Sequence, residues 1–426
     1  MPIHPTPAAT PGSRLVVAGG GAAGMLAAWR AATLGEAVTL LEANDRLGVK
    51  LRISGGGKCN LTHAGTVAEL LGAFPPAQAR FLRPGLHAFD NASLLELLGR
   101  EGVATWTRAN GRVFPLDRPG SAAQVTAALE ALVRRAGVEV RLGARVVALD
   151  GARPRLRALA LASGERVAGD RFILATGGAS YPRTGTRGEA LGWLAALGVA
   201  VAPWFPALAP VPLGLPRPGW EGVALRGGTL HLRQGREGRR LASHAGDLLF
   251  TRAGITGPAA LELSRAVEAA RRQGPAWLDY ALAAGPEEAL DRDLRERQRA
   301  SPHLGARGWL HQWLPERLCP AALELAELPQ DQRLGDLARA GRRALARLVA
   351  AFPLGEPGPV DLERGEVSAG GVLLEAVDPR TLVVKGWDNL QVCGELLDVD
   401  GPVGGYNLQA AFSTGYLAGA GSRSKA

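Results

Sequence analysis

Cysteine is scarce: Cys59, Cys319 and Cys393 are the only three in 426 residues. No two form a C-x-x-C pair, which excludes a dithiol redox motif, a thiolate zinc site and a disulfide framework. Metal ligation is not expected. Lysine is nearly as rare, with 4 lysines against 45 arginines, so the net charge of +9 is an arginine charge. Those arginines are spread through Ala-, Leu- and Gly-rich stretches. No compact basic cluster interleaves with aromatics as a strand-binding groove requires, so nucleic acid is not the expected partner. No apolar run is long enough to span a membrane. The opening "MPIHPTPAATPGSR" has neither the charged nor the apolar region of a secretory signal, which makes the cytoplasm the expected compartment.

Glycine is plentiful, 57 residues, and it is placed with purpose near the start. "RLVVAG" (14–19) reads as a strand, Ala22 to Leu34 as a helix stopped by Gly35, and "AVTLLE" (37–42) as a second strand. The turn between the first strand and the helix is Gly19-x-Gly21-x-x-Gly24. One glycine permits the tight turn, one lets a pyrophosphate approach the backbone, and one lets the helix pack on the sheet. Glu42 closes the second strand, 18 residues beyond Gly24, where an acid accepts hydrogen bonds from a ribose 2′-hydroxyl. Further on, "SAAQVTAALEALVRRAG" reads as a helix with Val125, Leu129, Leu132 and Val133 on one face. "VEVRLGARVVALD" and "LRALALASGERVA" read as strands, and "RFILATGG" (171–178) as an apolar strand ending in glycines.

"LRISGGGKCNLTH" (51–63) has the lysine of a nucleotide triphosphate loop but not its first glycine or its hydroxyl: position 52 is Arg and position 59 is Cys. It reads instead as a second backbone cradle, where glycines let amides approach a ring. Lys50, Arg52 and Lys58 either offset phosphate charge or stand solvated. Cys59 is either a cofactor neighbour or a packed thiol.

The prolines of "VAPWFPALAPVPLGLPRPGW" mark a crossing into a second domain. There "GTLHLRQ" and "GDLLFT" read as short strands. A helical stretch is expected from about 257 to 350, with Leu334, Leu337, Gly341, Leu345 and Leu348 sharing one face. The last sixty residues return to glycine-rich turns. "CGELLDVDGPVGGYNLQAAFSTGYLAG" (393–419) offers Glu395 for ribitol hydroxyls. Its helix begins near Tyr406 and Asn407, where amides and positive potential would favour a reduced flavin ring. No second complete G-x-G-x-x-G is present, so a separate NAD(P)H domain is not expected.

Together these segments resemble the BaiN-like flavoproteins, which include aminoacetone oxidase and a bile-acid enone reductase. The matching stretches are "GGGAAGMLAA", "KLRISGGGKCNLTH", "ILATGGASYPRTGTRG", "DLLFTRAGITGPAAL", "GEVSAGGV" and "CGELLDVDGPVGGYNLQAAFSTG". The resemblance implies an α/β chain: a Rossmann-like FAD-binding domain (1–200 and 366–426) with an inserted β-barrel and helical domain (201–365). It implies FAD contacts at Gly19, Gly21, Ala22, Ala23, Gly24, Glu42, Lys50, Ser54, Gly55, Gly56, Gly57, Cys59, Asn60, Thr176, Gly177, Glu395, Gly405, Tyr406 and Asn407. Val146 matches the backbone site beside the adenine. The chain departs from the family pattern at Lys58, where Arg is usual, at Ala410, where a bulky aromatic is common, and at Cys393, where Ala is more usual.

The activity this implies is a flavin-dependent oxidoreductase, passing hydride between a small organic substrate and flavin N5. NAD(P)H or oxygen is the second partner. Tyr181, in "SYPRTGTRG", is the candidate to donate a proton or orient a carbonyl, with a packed turn aromatic as its other reading. Cys59 is the other candidate catalytic side chain. A rival from a different class is a flavin-containing RNA-binding or RNA-modifying protein that uses the arginine-rich insert.

Overall fold

A computed structural model describes residues 13–116, 121–214 and 219–421. The N-terminal stretch read above for a secretory signal lies, up to residue 12, outside the described residues, as do positions 215–218 of the proline-rich crossing. The chain divides into two compact units, Met1–Phe205 with Gly365–Ala426, and Pro206–Arg364.

The first unit is built on a parallel five-stranded sheet. Its strands are β1 (Arg14–Ala18), β2 (Ala37–Leu41), β3 (Glu139–Arg141), β4 (Arg171–Leu174) and β5 (Leu390–Val392), in spatial order β5-β4-β1-β2-β3. The central strands are continuous apolar runs because both faces are covered, as parallel sheets require. Helix α1 (Ala22–Thr33) and helix α2 (Ser121–Arg135) join strands of this sheet, and α2 buries Val125, Leu129, Leu132 and Val133 as its spacing predicts. An antiparallel meander (Val146–Ala152, Arg155–Leu161, Arg166–Ala168) precedes β4.

The last helix, α3 (Tyr406–Gly419), lies directly on the first. A Cβ on Gly415 would stand 2.2 Å from the Ala23 carbonyl oxygen, and one on Gly419 would stand 2.3 Å from that of Ala27. Glycines four apart on one helix thus face alanines four apart on the other, and small residues at that spacing let two backbones touch. At the far end of α3, the Arg171 guanidinium donates to the carbonyl of Ala418 at 2.8 Å and pairs with buried Glu36 at 2.5 Å. A cation at a helix C-terminus also complements the macrodipole.

The second unit has a hydrophobic core of its own. Two antiparallel four-stranded sheets contribute to it. One runs Val211–Pro212, Gly254–Thr256, Leu248–Thr251, Ala224–Leu225; the other Arg240–Ala245, Thr229–Arg233, Trp277–Ala281, Phe352–Gly355. The continuous helical stretch expected from 257 to 350 is broken. Pro258–Gln273 and Glu287–Ala300 are helices, but Gly274 and Pro275 end the first, and "WLDYA" (277–281) pairs as a central strand with Leu278 and Tyr280 fully buried. The final helix is Arg339–Ala350, so Leu345 and Leu348 reach the core from a helix while Leu334 and Leu337 reach it from a turn. Among the described residues no helix is long and apolar enough to cross a membrane.

Glu268 is the charged hub of this unit. Its carboxylate accepts from Arg271 at 2.9 and 3.0 Å, Arg272 at 2.8 Å and the Val360 amide at 3.1 Å. Burial alone would raise its pKa, but the arginines and the amide outweigh burial and hold it at about 2. A carboxyl lowered on folding stabilises the fold above its ordinary value of 4.5, and that stability drains away as pH falls towards 2. Acid titration followed by tryptophan near-UV dichroism is expected to show this loss, and Glu268→Gln to flatten it. Gly415→Ala, which drives a methyl into the Ala23 carbonyl, is expected to cost about 1–3 kcal/mol in a denaturant melt.

Candidate functional site

The loops after β1, β2, β4 and β5 all leave the same, carboxyl edge of the parallel sheet, where open α/β sheets bind nucleotides. The first is the glycine loop. Gly19 turns at φ +104, and a Cβ there would stand 2.4 Å from the Ala175 carbonyl oxygen, so the "ATGG" turn seats against it. Gly24 packs so closely on Gly19 that a Cβ would stand 1.8 Å from the Gly19 oxygen. Gly21 differs: a Cβ there would meet nothing within 4 Å. It is the N-cap of α1, with no side-chain cap and no acid in the first turn. Gly21 therefore opens onto free space at the positive end of the helix dipole, where an anion is favoured.

Glu42 stands beside this loop and is buried. One carboxylate oxygen accepts from the Gly20 amide at 2.7 Å, the other from the amide and side chain of Asn44 at 2.8 and 2.6 Å. Three N–H donors fix the carboxylate in orientation. Asn44 also donates to the Thr184 carbonyl at 3.0 Å, and Arg145 to that of Gly185 at 3.1 Å. The later half of "SYPRTGTRG" is thereby tied to the Glu42 side of the edge. Val146 opens its strand just after Ala144, whose amide donates to the Glu42 carbonyl.

The second cradle follows. Val49–Ile53 is a short helix, and Ser54–Gly57 a tight turn with Gly55 and Gly56 left-handed. Gly56 and Gly57 again have nothing within 4 Å of a Cβ position. Cys59 is fully buried with its amide on the Ser54 carbonyl, and burial pushes its thiol up to about 12. At neutral pH it is a protonated, enclosed thiol, without the thiolate that nucleophilic or redox chemistry needs. Tyr181 is the opposite case: 37% exposed, with φ +51, a conformation that costs a non-glycine residue about 1–2 kcal/mol.

The third contribution is the N-terminus of α3. Gly405 is its N-cap at φ +95, and a Cβ there would stand 2.5 Å from the Thr62 backbone. The late helix thus abuts the strand Thr62–His63 that follows the second cradle. The side chains of its first two residues are already engaged. Tyr406 stacks on His63 at 4.9 Å and meets Phe74 edge-on, while Asn407 exchanges hydrogen bonds of 2.8 Å with Gly401. What Tyr406 and Asn407 offer a ligand is their backbone. Lys50 and Glu395, 345 residues apart, form an ion pair at 2.7 Å supported by Ser180 and Ser368. Of these partners, Asn44, Ser180 and Ser368 were not among the expected site residues.

Whether FAD suits these residues is tested by what they leave unmet. Asn60 Oδ1, Thr176 Oγ1 and Arg52 Nε are buried polar atoms with no hydrogen-bond partner. All three lie on the segments that form the cradle, and buried polar atoms in a folded protein ordinarily have a partner. With the open space at Gly21, Gly56 and Gly57, the fit is good. Gly21→Val is expected to leave the apoprotein's melting behaviour within about 1 kcal/mol of the parent. It is also expected to lower FAD affinity about tenfold or more, read from fluorescence titration of the apoprotein.

The family described as the HI0933-like protein Rossmann domain matches residues 13–421. The chain is 32% identical over 419 residues to a 3-dehydro-bile acid delta(4,6)-reductase of Clostridium scindens, covering 96% of this chain and 98% of that one. It is 27% identical over 406 residues to a ribosomal RNA dihydrouridine synthase of Escherichia coli, covering 94% and 96%. In fold it is similar to the 3-ketosteroid delta1-dehydrogenase of Sterolibacterium denitrificans, with a TM-score of 0.54 at 15% identity over 96% of this chain and 99% of that one. The chain therefore belongs to the HI0933-like family as an FAD-dependent oxidoreductase.

Proposed function

We propose that the protein reduces a carbon–carbon double bond conjugated to a carbonyl in a small organic substrate, with NAD(P)H as the electron source and the cytoplasm as its compartment. The observation that carries this reading is the end-to-end similarity to the 3-dehydro-bile acid reductase, whose named substrate is of that kind. Bound FAD supplies hydride exchange at N5. The substrate takes the hydride at the carbon β to the carbonyl and a proton at the α carbon, so one C=C bond becomes C–C and NAD(P)H becomes NAD(P)+. The chain's own groups do the rest. The α3 amides at Tyr406 and Asn407 supply positive potential for the reduced ring. Glu42 holds the ribose end, and Tyr181 is the group we assign to the proton or to the carbonyl oxygen. Lys50, Ser54 to Gly57, Asn60, Thr176, Gly177 and Glu395 line the cofactor in this reading, with Val146 at the adenine.

A second reading keeps the chemistry and changes the substrate. Forming dihydrouridine saturates a double bond conjugated to a carbonyl in uracil. The Escherichia coli relative carries that name, and this chain bears 45 arginines and a net charge of +9. The uracil of ribosomal RNA is then the substrate.

Rapid-mixing kinetics separate these. NADH or NADPH is expected to reduce the flavin, and a 3-oxo-Δ4 steroid to reoxidise it faster than air does. Equal rates of reoxidation with and without the enone would remove the first reading. A two-hydrogen mass gain in a ribosomal RNA transcript, with no enone turnover, would establish the second, and reoxidation by air alone would mark an oxidase. Tyr181→Phe is expected to slow the enone step about a hundredfold while FAD stays bound.

A further inference from the structure

We infer that Lys50 acts on the cofactor through Glu395, as a positioning residue, and not as a counter-charge for the pyrophosphate. An ammonium has three N–H donors. One meets Ser180 Oγ at 2.6 Å and another is shared between the two Glu395 oxygens, Oε2 at 2.7 Å and Oε1 at 3.0 Å. The positive charge of Lys50 is matched by that one carboxylate, which leaves no net charge to offset a phosphate. The carboxylate is loaded unevenly. Oε1 accepts from Lys50, from the Ser368 amide at 2.9 Å and from Ser180 Oγ at 3.3 Å, whereas among the described residues Oε2 accepts from Lys50 alone. Oε2 therefore keeps an acceptor site, and it is the oxygen that serves a flavin-side hydroxyl.

The surrounding backbone makes this arrangement specific. Ser368 Oγ accepts from the amides of Ala179 and Ser180 at 2.9 Å each, and a Cβ on Gly178 would stand 2.7 Å from Ser368 Oγ and 2.9 Å from Glu395 Oε1. The segments around 50, 180, 368 and 395 converge on one carboxylate, and among the described residues Lys50 is the only cation paired with it. The pair is partly buried, with side-chain exposures of 28% and 18%, so removing the lysine leaves a carboxylate poorly solvated and unpaired.

The inference concerns the cofactor and holds whichever substrate is reduced. The test is a double-mutant cycle of Lys50→Met and Glu395→Gln on the FAD dissociation constant and on the flavin midpoint potential, with ADP as a second probe of the apoproteins. Lys50→Met is expected to weaken FAD about tenfold or more, to lower the potential through the unbalanced negative charge, and to leave ADP affinity unchanged. Glu395→Gln added to it is expected to bring the potential back towards the parent value, and Lys50→Arg to retain most of the affinity. Three results would overturn the inference: additive losses of FAD affinity, an unmoved potential, or a parallel loss of ADP binding. Retained ADP binding shows that the variant is folded, which keeps a failure to fold from passing as support.

Discussion

The contact between α1 and α3 is the constraint on which the cofactor unit depends. Gly415 and Gly419 bring the backbone of the last helix against Ala23 and Ala27 of the first. At that distance the two helices behave as one rigid pair, and a rigid pair fixes where their N-termini stand. One N-terminus, at Gly21, faces the space after β1; the other, at Gly405, rests on Thr62 beyond the second cradle. A dinucleotide is held at both ends only if that separation is fixed. The residues that fix it carry no functional groups, which is why a search for chemistry passes over them.

Charge then works inside this frame of small residues. Glu42 and Glu395 are both held by several donors, but of different kinds. Glu42 takes neutral N–H groups from its own neighbourhood, Gly20 and Asn44. Glu395 takes a cation from far along the chain. A carboxylate surrounded by neutral dipoles is oriented without being neutralised. A carboxylate paired with an ammonium presents a directional acceptor with little net field.

Much of the first unit is legible in the sequence because its signals are local. The strand, glycine turn, helix and acid from 14 to 42 follow one another within thirty residues, and the fold places them as read. The face of α2 is legible for the same reason. What the sequence hides is long-range. Nothing near Lys50 announces Glu395, and the serines at 180 and 368 are ordinary polar residues until the chain brings them together. The Gly415-x-x-x-Gly419 spacing and the matching alanines were visible, but a soluble helix at that spacing is read for its apolar face before its small one. In the second unit, arginine-rich helices outweighed the short "WLDYA" strand, whose aromatic alternation is a weaker signal than the runs on either side. Cys59 shows the remaining gap: a cysteine beside glycines suggests reactivity, and only its burial, invisible in sequence, argues the reverse.

The cofactor unit is discontinuous, with β1 to β4 before the second unit and β5 and α3 after it. A ribosome therefore delivers the two parts of this unit separately, with a separately cored unit of 159 residues, Pro206–Arg364, made in between. Chains generally fold as they emerge, N-terminal parts first. The face of α1 that packs on α3 must then wait until α3 leaves the exit tunnel. Loss of α3 would strip α1 of its packing partner, so that the earliest-made core of the unit is completed by one of its latest-made elements.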